Sequence, residues 1–180
     1  MQRFEAAPWP VSLKVVSALA TVALLGAAGA LFLAPLPGAR DPFAAALSRL
    51  IFLLPPAILL GGLLFLVRGY ELDTTGLYVE RLLWRTSVGL GGLSRAWHDP
   101  SAMRRSLRLF GNGGLFAITG IFRNGTLGRY RAFVTDPRRA VVLRYESRVV
   151  VVSPADPDEM LGFLKVVSPA TVVGNPPNAS

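Results

Sequence analysis

Two long apolar stretches occupy the first part of the chain, and shorter segments of alternating apolar and polar residues fill the rest. Val15–Leu33 has 19 residues and Leu50–Val67 has 18, and neither contains an ionisable side chain. At about 1.5 Å of rise per residue, each can cross a hydrocarbon core of about 30 Å as an α-helix. The pattern predicts a membrane protein in which residues 1–68 form a two-helix transmembrane hairpin.

Each stretch has an alternative interpretation. The first has features of a cleavable signal peptide, because Arg3 and Lys14 precede it and small residues follow it. An apolar signal region runs for only about 7–15 residues, however, and a second apolar stretch follows directly, which favours an uncleaved hairpin. The second stretch has the alternative of a buried core helix, which its length and lack of charge disfavour.

The basic residues near the ends of the two stretches predict the topology. Five lie before the first stretch or after the second, namely Arg3, Lys14, Arg68, Arg81 and Arg85. Two lie in the loop that connects the stretches, Arg40 and Arg49. Under the positive-inside rule, this places both termini and the rest of the chain in the cytoplasm, and the loop of residues 34–48 outside.

Small residues recur at a spacing of about four in both stretches, which lets helix backbones approach closely. The candidate helix-packing positions are Ala23, Gly26, Ala27, Ala30, Ala57 and Gly61. Two interpretations stay open: a contact face for another membrane protein, or packing of these two helices on each other.

Residues 69–167 have the pattern of short strands separated by turn signals. Asp73–Gly76, Gly111–Gly114, Asn124-Gly125 and Asp136-Pro137 are typical of turns. Between them the sequence predicts seven strands, at 70–72, 77–82, 105–110, 115–123, 127–135, 140–145 and 148–152. Regular spacing of this kind indicates a mainly-β domain, an antiparallel barrel or a sandwich.

One helix is predicted after the strands. Asp156 is a suitable N-cap and Pro157 suits the first helical position. Apolar residues then recur at i, i+3, i+4 and i+7, a stripe expected to lie against the sheet. These residues are Met160, Phe163, Leu164 and Val167. Residues 168–180 are predicted to be a polar, non-helical C-terminal tail.

Several short motifs of residues 69–167 resemble the bacterial pleckstrin-homology-like (PH-like) domains, in particular the membrane-tethered group of unassigned role. The motifs are Tyr70–Asp73, Gly76-Leu77, Gly113–Phe116, Gly120–Phe122, Gly128–Tyr130, Val134–Asp136, Val151–Pro154 and Asp156-Pro157. The resemblance implies a partly open barrel of about seven strands with the C-terminal α-helix capping one end. It implies an inner bacterial membrane as the location, and it supplies no catalytic or ligand motif.

Arginine is the best indication of a partner. The chain has 19 Lys plus Arg against 11 Asp plus Glu, a net charge of +8. The candidate contacts for an anionic partner or lipid are Arg104, Arg105, Arg108, Arg123, Arg129 and Arg131. Arg129 and Arg131 share one strand face, and neighbouring strands can bring the others to it. Three interpretations stay open: contact with anionic headgroups, docking on an acidic protein surface, and ordinary solvated arginines.

No catalytic, cofactor or metal site is predicted, and the chain is not expected to be an enzyme. Cysteine is absent, which excludes disulfides and thiolate chemistry, and His98 is the single histidine. A triad or a multi-histidine metal site cannot be assembled around it. Nucleic acid is not expected as a partner either, because the positive charge is spread and no reading motif is present.

Two functional hypotheses follow. In the first, the chain is a membrane-anchored, non-enzymatic binding or scaffolding protein whose cytoplasmic domain contacts a membrane-protein partner or an anionic lipid surface. In the second, it is an accessory structural subunit that stabilises a large membrane complex, for example a bioenergetic one. Both have membrane lipid and another integral membrane protein as partners, and neither includes a small-molecule substrate.

Overall fold

The computed structural model describes residues 1–33 and 42–174, and for residues 42 and 44–49 the backbone alone. Three α-helices are described: α1 (Val11–Leu33), α2 (Pro42–Leu64) and α3 (Pro157–Val167). The strands, in chain order, are β1 (Gln2–Glu5), β2 (Gly69–Leu72), β3 (Gly76–Glu80), β4 (Arg85–Gly89), β5 (Leu93–His98), β6 (Leu107–Gly113), β7 (Ile118–Asn124), β8 (Gly128–Val134), β9 (Val141–Tyr145), β10 (Val149–Val152) and β11 (Val172–Val173).

The first two helices contact each other, and the rings of Phe32 and Phe52 lie 6.0 Å apart. Within the described residues, α1 is the one helix long and apolar enough to cross a membrane, a test that a signal sequence also passes. The corresponding apolar part of α2, Leu50–Leu64, is shorter than a full span. The helix thus ends at Leu64, three residues before the end of the predicted second stretch. That α2 crosses a membrane stays a prediction. Most of the predicted outer loop lies outside the described residues.

The six small residues predicted to pack helices lie on exposed or half-exposed surface. A side-chain carbon added at Gly26 or Gly61 would have no neighbour within 4 Å. Their contact with another membrane protein stays a prediction.

The strands form two sheets that are not closed into a barrel. The smaller sheet has the order β1-β2-β3-β4, and the larger has the order β11-β5-β9-β10-β8-β7-β6. Neighbours are antiparallel except for β10 with β8 and β11 with β5, which are parallel. The expected partly open barrel of about seven strands is thus wrong in detail: the domain is an open two-sheet sandwich with more strands. Four strands were not predicted, because they are short or interrupted by polar residues: β1, β4, β5 and β11.

β1 precedes both helices and yet belongs to the domain that follows them. It pairs antiparallel with β2, from Gln2 opposite Leu72 to Glu5 opposite Gly69. The next residues continue the contact, because the Ala7 N–H donates to the Ser153 carbonyl and the Ala7 carbonyl accepts from Thr135 Oγ1 at 2.7 Å. The N-terminal segment is therefore an integral part of the sandwich.

The main core lies between the two sheets and under α3. Tyr70, at its centre, is fully buried; its hydroxyl donates to the Phe133 carbonyl at 2.6 Å and accepts from the Ser153 N–H at 3.0 Å. The predicted stripe of α3 supplies Met160 and Leu164 to this core. A second cluster, around Trp97 and Tyr130, covers the other face of the larger sheet.

The C-terminal helix begins as predicted. The Asp156 carboxylate accepts from the backbone N–H groups of Asp158 and Glu159, each at 3.0 Å. Part of the predicted tail is ordered on the domain, since β11 pairs with β5. Residues 175–180 lie outside the described residues.

Candidate functional site

A cavity of about 530 Å³ lies between the C-terminal end of α2 and the face of β7 and β8 that points towards the smaller sheet. We call it the helix-end cavity. Its volume is typical of small-molecule sites, which span about 300–1,000 Å³. It is lined by Ile58, Gly61, Gly62, Phe65, Arg81, Arg108, Phe110, Gly111, Asn112, Leu115, Thr119, Gly120, Ile121, Arg131 and Phe133.

Two glycines facing each other across β6 and β7 shape one wall. Gly111 and Gly120 are cross-strand partners, and both have positive φ, at 107° and 144°. A side chain on Gly120 would overlap the Phe110 carbonyl, and one on Gly111 would overlap the Thr119 carbonyl. The close approach of these two backbones therefore requires glycine at both positions.

The loop after β6 holds the domain against both helices. Ser17 Oγ of α1 donates to the Gly114 carbonyl at 3.3 Å and accepts from the Phe116 N–H at 3.0 Å. On α2, Gly62 is buried beside the Leu115 side chain, where a Cβ would not fit. These contacts place the cavity at the end of α2 and close to the beginning of α1.

Arg81 is the buried cation of the cavity. Arg81 comes directly after β3 in the chain, and it is only 7% exposed. The guanidinium donates from Nε to Thr86 Oγ1 at 3.2 Å and from Nη1 to the Phe65 carbonyl at 3.1 Å. Among the described side chains, no carboxylate lies within ion-pair distance of it, although buried charges are normally paired.

Arg131 of β8 brings a second positive charge to the same place. Its guanidinium carbon lies 4.8 Å from the centroid of the Phe133 ring, and that of Arg81 lies 5.2 Å from the same centroid. Burial is the main cause that lowers the pKa of Arg81, and the charge of Arg131 lowers it further. Because arginine stays protonated, two positive charges lie near the ring of Phe133, the buried one of Arg81 and the solvent-exposed one of Arg131.

Thr119 lines the cavity and carries a buried hydroxyl that makes no hydrogen bond. It lies on β7 opposite Phe133 and is 2% exposed, and its hydroxyl has no hydrogen-bond partner. A buried hydroxyl without a partner is uncommon, because leaving one unsatisfied costs about 1–3 kcal/mol. The hydroxyl oxygen itself is enclosed by the protein and is an unsatisfied group of the interior.

Exposed apolar side chains surround this end of the domain, in two groups. One follows Arg81 in the β3–β4 turn and the other lies along the edge strand β6. We call the two groups together the apolar rim: Leu82, Leu83, Trp84, Leu107, Leu109 and Phe110. Phe110 is 75% exposed and also lines the cavity. Groups of exposed apolar side chains of this kind are typical of a protein or membrane contact.

The predicted arginines are partly brought together. Arg108 and Arg131 line the helix-end cavity, while Arg129 and Arg131 line a neighbouring depression of about 370 Å³ that also contains Arg148. Arg123 lies directly opposite Arg129. Two further members, Arg104 and Arg105, are exposed in the turn before β6. Whether this set binds a partner stays a prediction.

Sequence reasoning missed Arg81 and Thr119 as site residues. Arg81 was considered only as one of the basic residues that follow the second apolar stretch. A signal was present, because three large apolar residues, Leu82-Leu83-Trp84, follow it in a turn where polar residues are usual. Thr119 carried no such signal, since only the fold shows that its hydroxyl is buried without a partner.

Comparison with known proteins identifies the domain. The family profile described as bacterial PH domain matches residues 68–168, which is more than half of the chain. No curated protein and no solved structure matches the chain. PH domains are generally non-catalytic binding modules. Among the described residues, no group of three or more His, Asp or Glu side chains could hold a metal ion. With its sandwich, its C-terminal helix and this match, the chain belongs to the bacterial PH domain family.

Proposed function

We propose that this protein is a membrane-anchored, non-enzymatic binding module whose PH domain lies on the anionic surface of the cytoplasmic leaflet. The observation that carries the proposal is the apolar rim beside the unpaired arginines, at the end of the domain from which α2 emerges. Each basic residue near an anionic leaflet contributes about 1 kcal/mol to binding, and the exposed leucines and aromatic residues add apolar burial. The charges around the two apolar stretches support the cytoplasmic orientation.

The pairing of β1 with β2 supports a hairpin anchor. β1 lies before α1 and β2 lies after α2, yet the two strands are neighbours in one sheet. If α1 crosses the membrane, the chain must therefore return to the side from which it started. The return path is α2, whose Leu50–Leu64 segment is apolar.

The proposal can be tested with a fluorescent probe on the whole chain. The chain lacks cysteine, so a single introduced cysteine is the only site that a thiol-reactive dye labels. Leu109→Cys places an environment-sensitive dye on the apolar rim. Thr74→Cys is the matched control, because Thr74 is exposed in the β2–β3 turn, at the end of β2 away from α2.

Both labelled proteins are reconstituted into vesicles of phosphatidylglycerol and phosphatidylcholine, with some lipids brominated. We expect the dye at position 109 to shift to the blue and to be quenched by the brominated lipids, more strongly as the anionic fraction rises. The dye at position 74 should keep the emission of a dye in water and should not be quenched. A dye at position 109 that reports water at every lipid composition would refute the proposal.

A second candidate function is that of an accessory subunit of a larger membrane complex. The exposed small residues of α1, which include Gly26 and Ala30, favour it, since another helix can approach them closely. Purification in a mild detergent should then give a heavier assembly that is stable at low concentration. A monomer in every mild detergent would count against this function.

A further inference from the structure

We propose that the free edge of β4 binds an extended acidic segment of a partner protein. The segment adds a fifth strand to the smaller sheet and places its carboxylates against Arg129 and Arg131. The site is the depression of about 370 Å³ beside β4, which we call the edge groove. The proposal goes beyond contact with a leaflet, because it names a protein ligand and the strand that binds it.

β4 is the last strand of the smaller sheet in the described part of the chain, and one side of its backbone is unused. The Arg81 N–H donates to the Trp84 carbonyl, so these two residues are a hydrogen-bonded pair of the β3–β4 hairpin. Such pairs alternate along an antiparallel ladder, and the N–H and C=O groups of Arg85 and Ser87 therefore point away from β3. These groups can pair with a further strand.

The larger sheet extends past β4 and gives an added strand a surface to pack on. The edge groove is lined by Ser87 and Val88 on one side and by Ile121 and residues 129–131 of β7 and β8 on the other. Neighbouring strands of a sheet lie about 4.8 Å apart. A strand added to β4 would therefore fill the groove and cover the exposed side chains of β8.

The edge groove is basic, and its surroundings do not compensate the charge. Residues 100–135, which include β6, β7 and β8, contain six arginines and neither Asp nor Glu. Arg129, Arg131 and Arg148 line the groove and are exposed, and none of the three forms an ion pair with a described carboxylate. Arg148 Nη2 donates to the Gly89 carbonyl at 3.4 Å, at the end of β4. An acidic ligand complements this groove.

The spacing of two arginines predicts the pattern of the ligand. Arg129 and Arg131 lie on one face of β8, two residues or about 7 Å apart along the strand. On an added strand, two carboxylates with one residue between them have the same spacing and point to the same side. The predicted ligand therefore has Asp or Glu at alternate positions, facing the arginines.

A segment of another protein fits this site better than a lipid or a second copy of the chain. A lipid headgroup can contact the arginines, but it has no row of N–H and C=O groups to pair with β4. A second copy offers no suitable strand, because each described strand contains at most one acidic residue.

The test selects ligands from a library of random decapeptides displayed on phage. The target is the full chain in nanodiscs of phosphatidylcholine, a neutral lipid that keeps anionic headgroups out of the experiment. We expect the selected peptides to share two Asp or Glu residues separated by one residue. The most frequent peptide is then synthesised with a fluorophore, and its dissociation constant is measured by fluorescence anisotropy.

Arginine variants test the charge match. Arg129→Gln and Arg131→Gln should each weaken binding of the selected peptide by about fivefold or more, because each removes one charge-assisted contact. Arg95→Gln is the charge-matched control. Arg95 lies on β5, three strands from β8, and its loss should change binding by less than about twofold, since salt screens a distant charge.

Ser87→Pro tests the strand pairing. It removes an N–H that points away from β3, a position at which an edge strand tolerates proline, and should weaken binding by about tenfold. Ser87→Ala keeps the N–H and should change binding by less than about twofold. Hydrogen exchange of the unchanged chain gives the same information without a variant, because the bound peptide should protect the amides of Arg85 and Ser87.

Four results would each overturn the proposal: selected peptides that lack the acidic pair, equal effects of Arg131→Gln and Arg95→Gln, equal effects of Ser87→Pro and Ser87→Ala in folded protein, or unprotected amides in β4. A dimer that Ser87→Pro dissociates, with no peptide selected, would assign the edge to a second copy and refute the partner segment. The membrane contact is tested separately, since Leu109 lies on β6 and does not line the edge groove.

Discussion

Replacing Thr119 by valine should stabilise the lipid-free protein, although the change removes a polar group from its interior. The hydroxyl is buried without a partner, which costs about 1–3 kcal/mol, and valine has nearly the same shape. For a domain of about 100 residues, each 1 kcal/mol raises the unfolding temperature by about 4–8 °C. We therefore expect a rise of about 4 °C or more.

Thr135→Val is the matched control, and its effect should have the opposite sign. Thr135 is equally buried, but its hydroxyl donates to the Ala7 carbonyl at 2.7 Å and lies 3.2 Å from Ser153 Oγ. Removing it leaves a buried carbonyl without that donor, a loss of about 1–3 kcal/mol.

Both variants are compared with the parent chain by thermal unfolding in detergent without lipid, followed by the near-ultraviolet circular dichroism of the aromatic side chains. A Thr119→Val protein that is less stable than the parent without lipid would refute the reasoning, since it would mean that the hydroxyl already has a partner.

Three further predictions concern the domain itself, each measured by unfolding of the full chain. Burial raises the pKa of Tyr70 to about 12, compared with about 10 in the unfolded chain. The protonated hydroxyl therefore contributes its full stabilisation of the folded protein below pH 10, and about 3 kcal/mol of that stabilisation is lost as the pH rises towards 12. Tyr70→Phe should lack this part of the alkaline decline. Gly120→Ala should cost about 3 kcal/mol or more, because of its positive φ and the Phe110 carbonyl, whereas Gly125→Ala, with open space around it, should be nearly neutral. Asp156→Ala should cost about 1 kcal/mol through the lost N-cap of α3.

The strands bounded by clear turn signals were predictable from the sequence. β7 to β10 lie within or close to the predicted ranges, and β9 and β10 are also marked by continuous runs rich in valine. β4 has the sequence Arg-Thr-Ser-Val-Gly, in which one buried valine gives no pattern. β1 has four residues ahead of a long apolar helix, and its partner lies more than sixty residues away. Such pairing depends on the tertiary fold and leaves no local signal.

One half of the candidate site was predictable from the sequence. Strand alternation placed Arg129 and Arg131 on one face, and the structure agrees, with Phe133 next along that face. The other half comes from Arg81, which reaches the cavity because the β3–β4 turn lies beside the end of α2. No spacing along the chain encodes this approach of a turn to a helix that ends at Leu64.

The pairing of β1 with β2 ties the completion of a sheet to the synthesis of both helices. During synthesis, Gln2–Glu5 leaves the ribosome before the two helices and has no strand partner until Gly69–Leu72 has followed. The four strands of the smaller sheet can therefore come together only after α1 and α2 have been made. Cleavage after α1 would remove an edge strand and expose the backbone of β2, a site for pairing with other chains. With the proposed membrane anchor, a completed smaller sheet would mark the chains in which both helices have inserted.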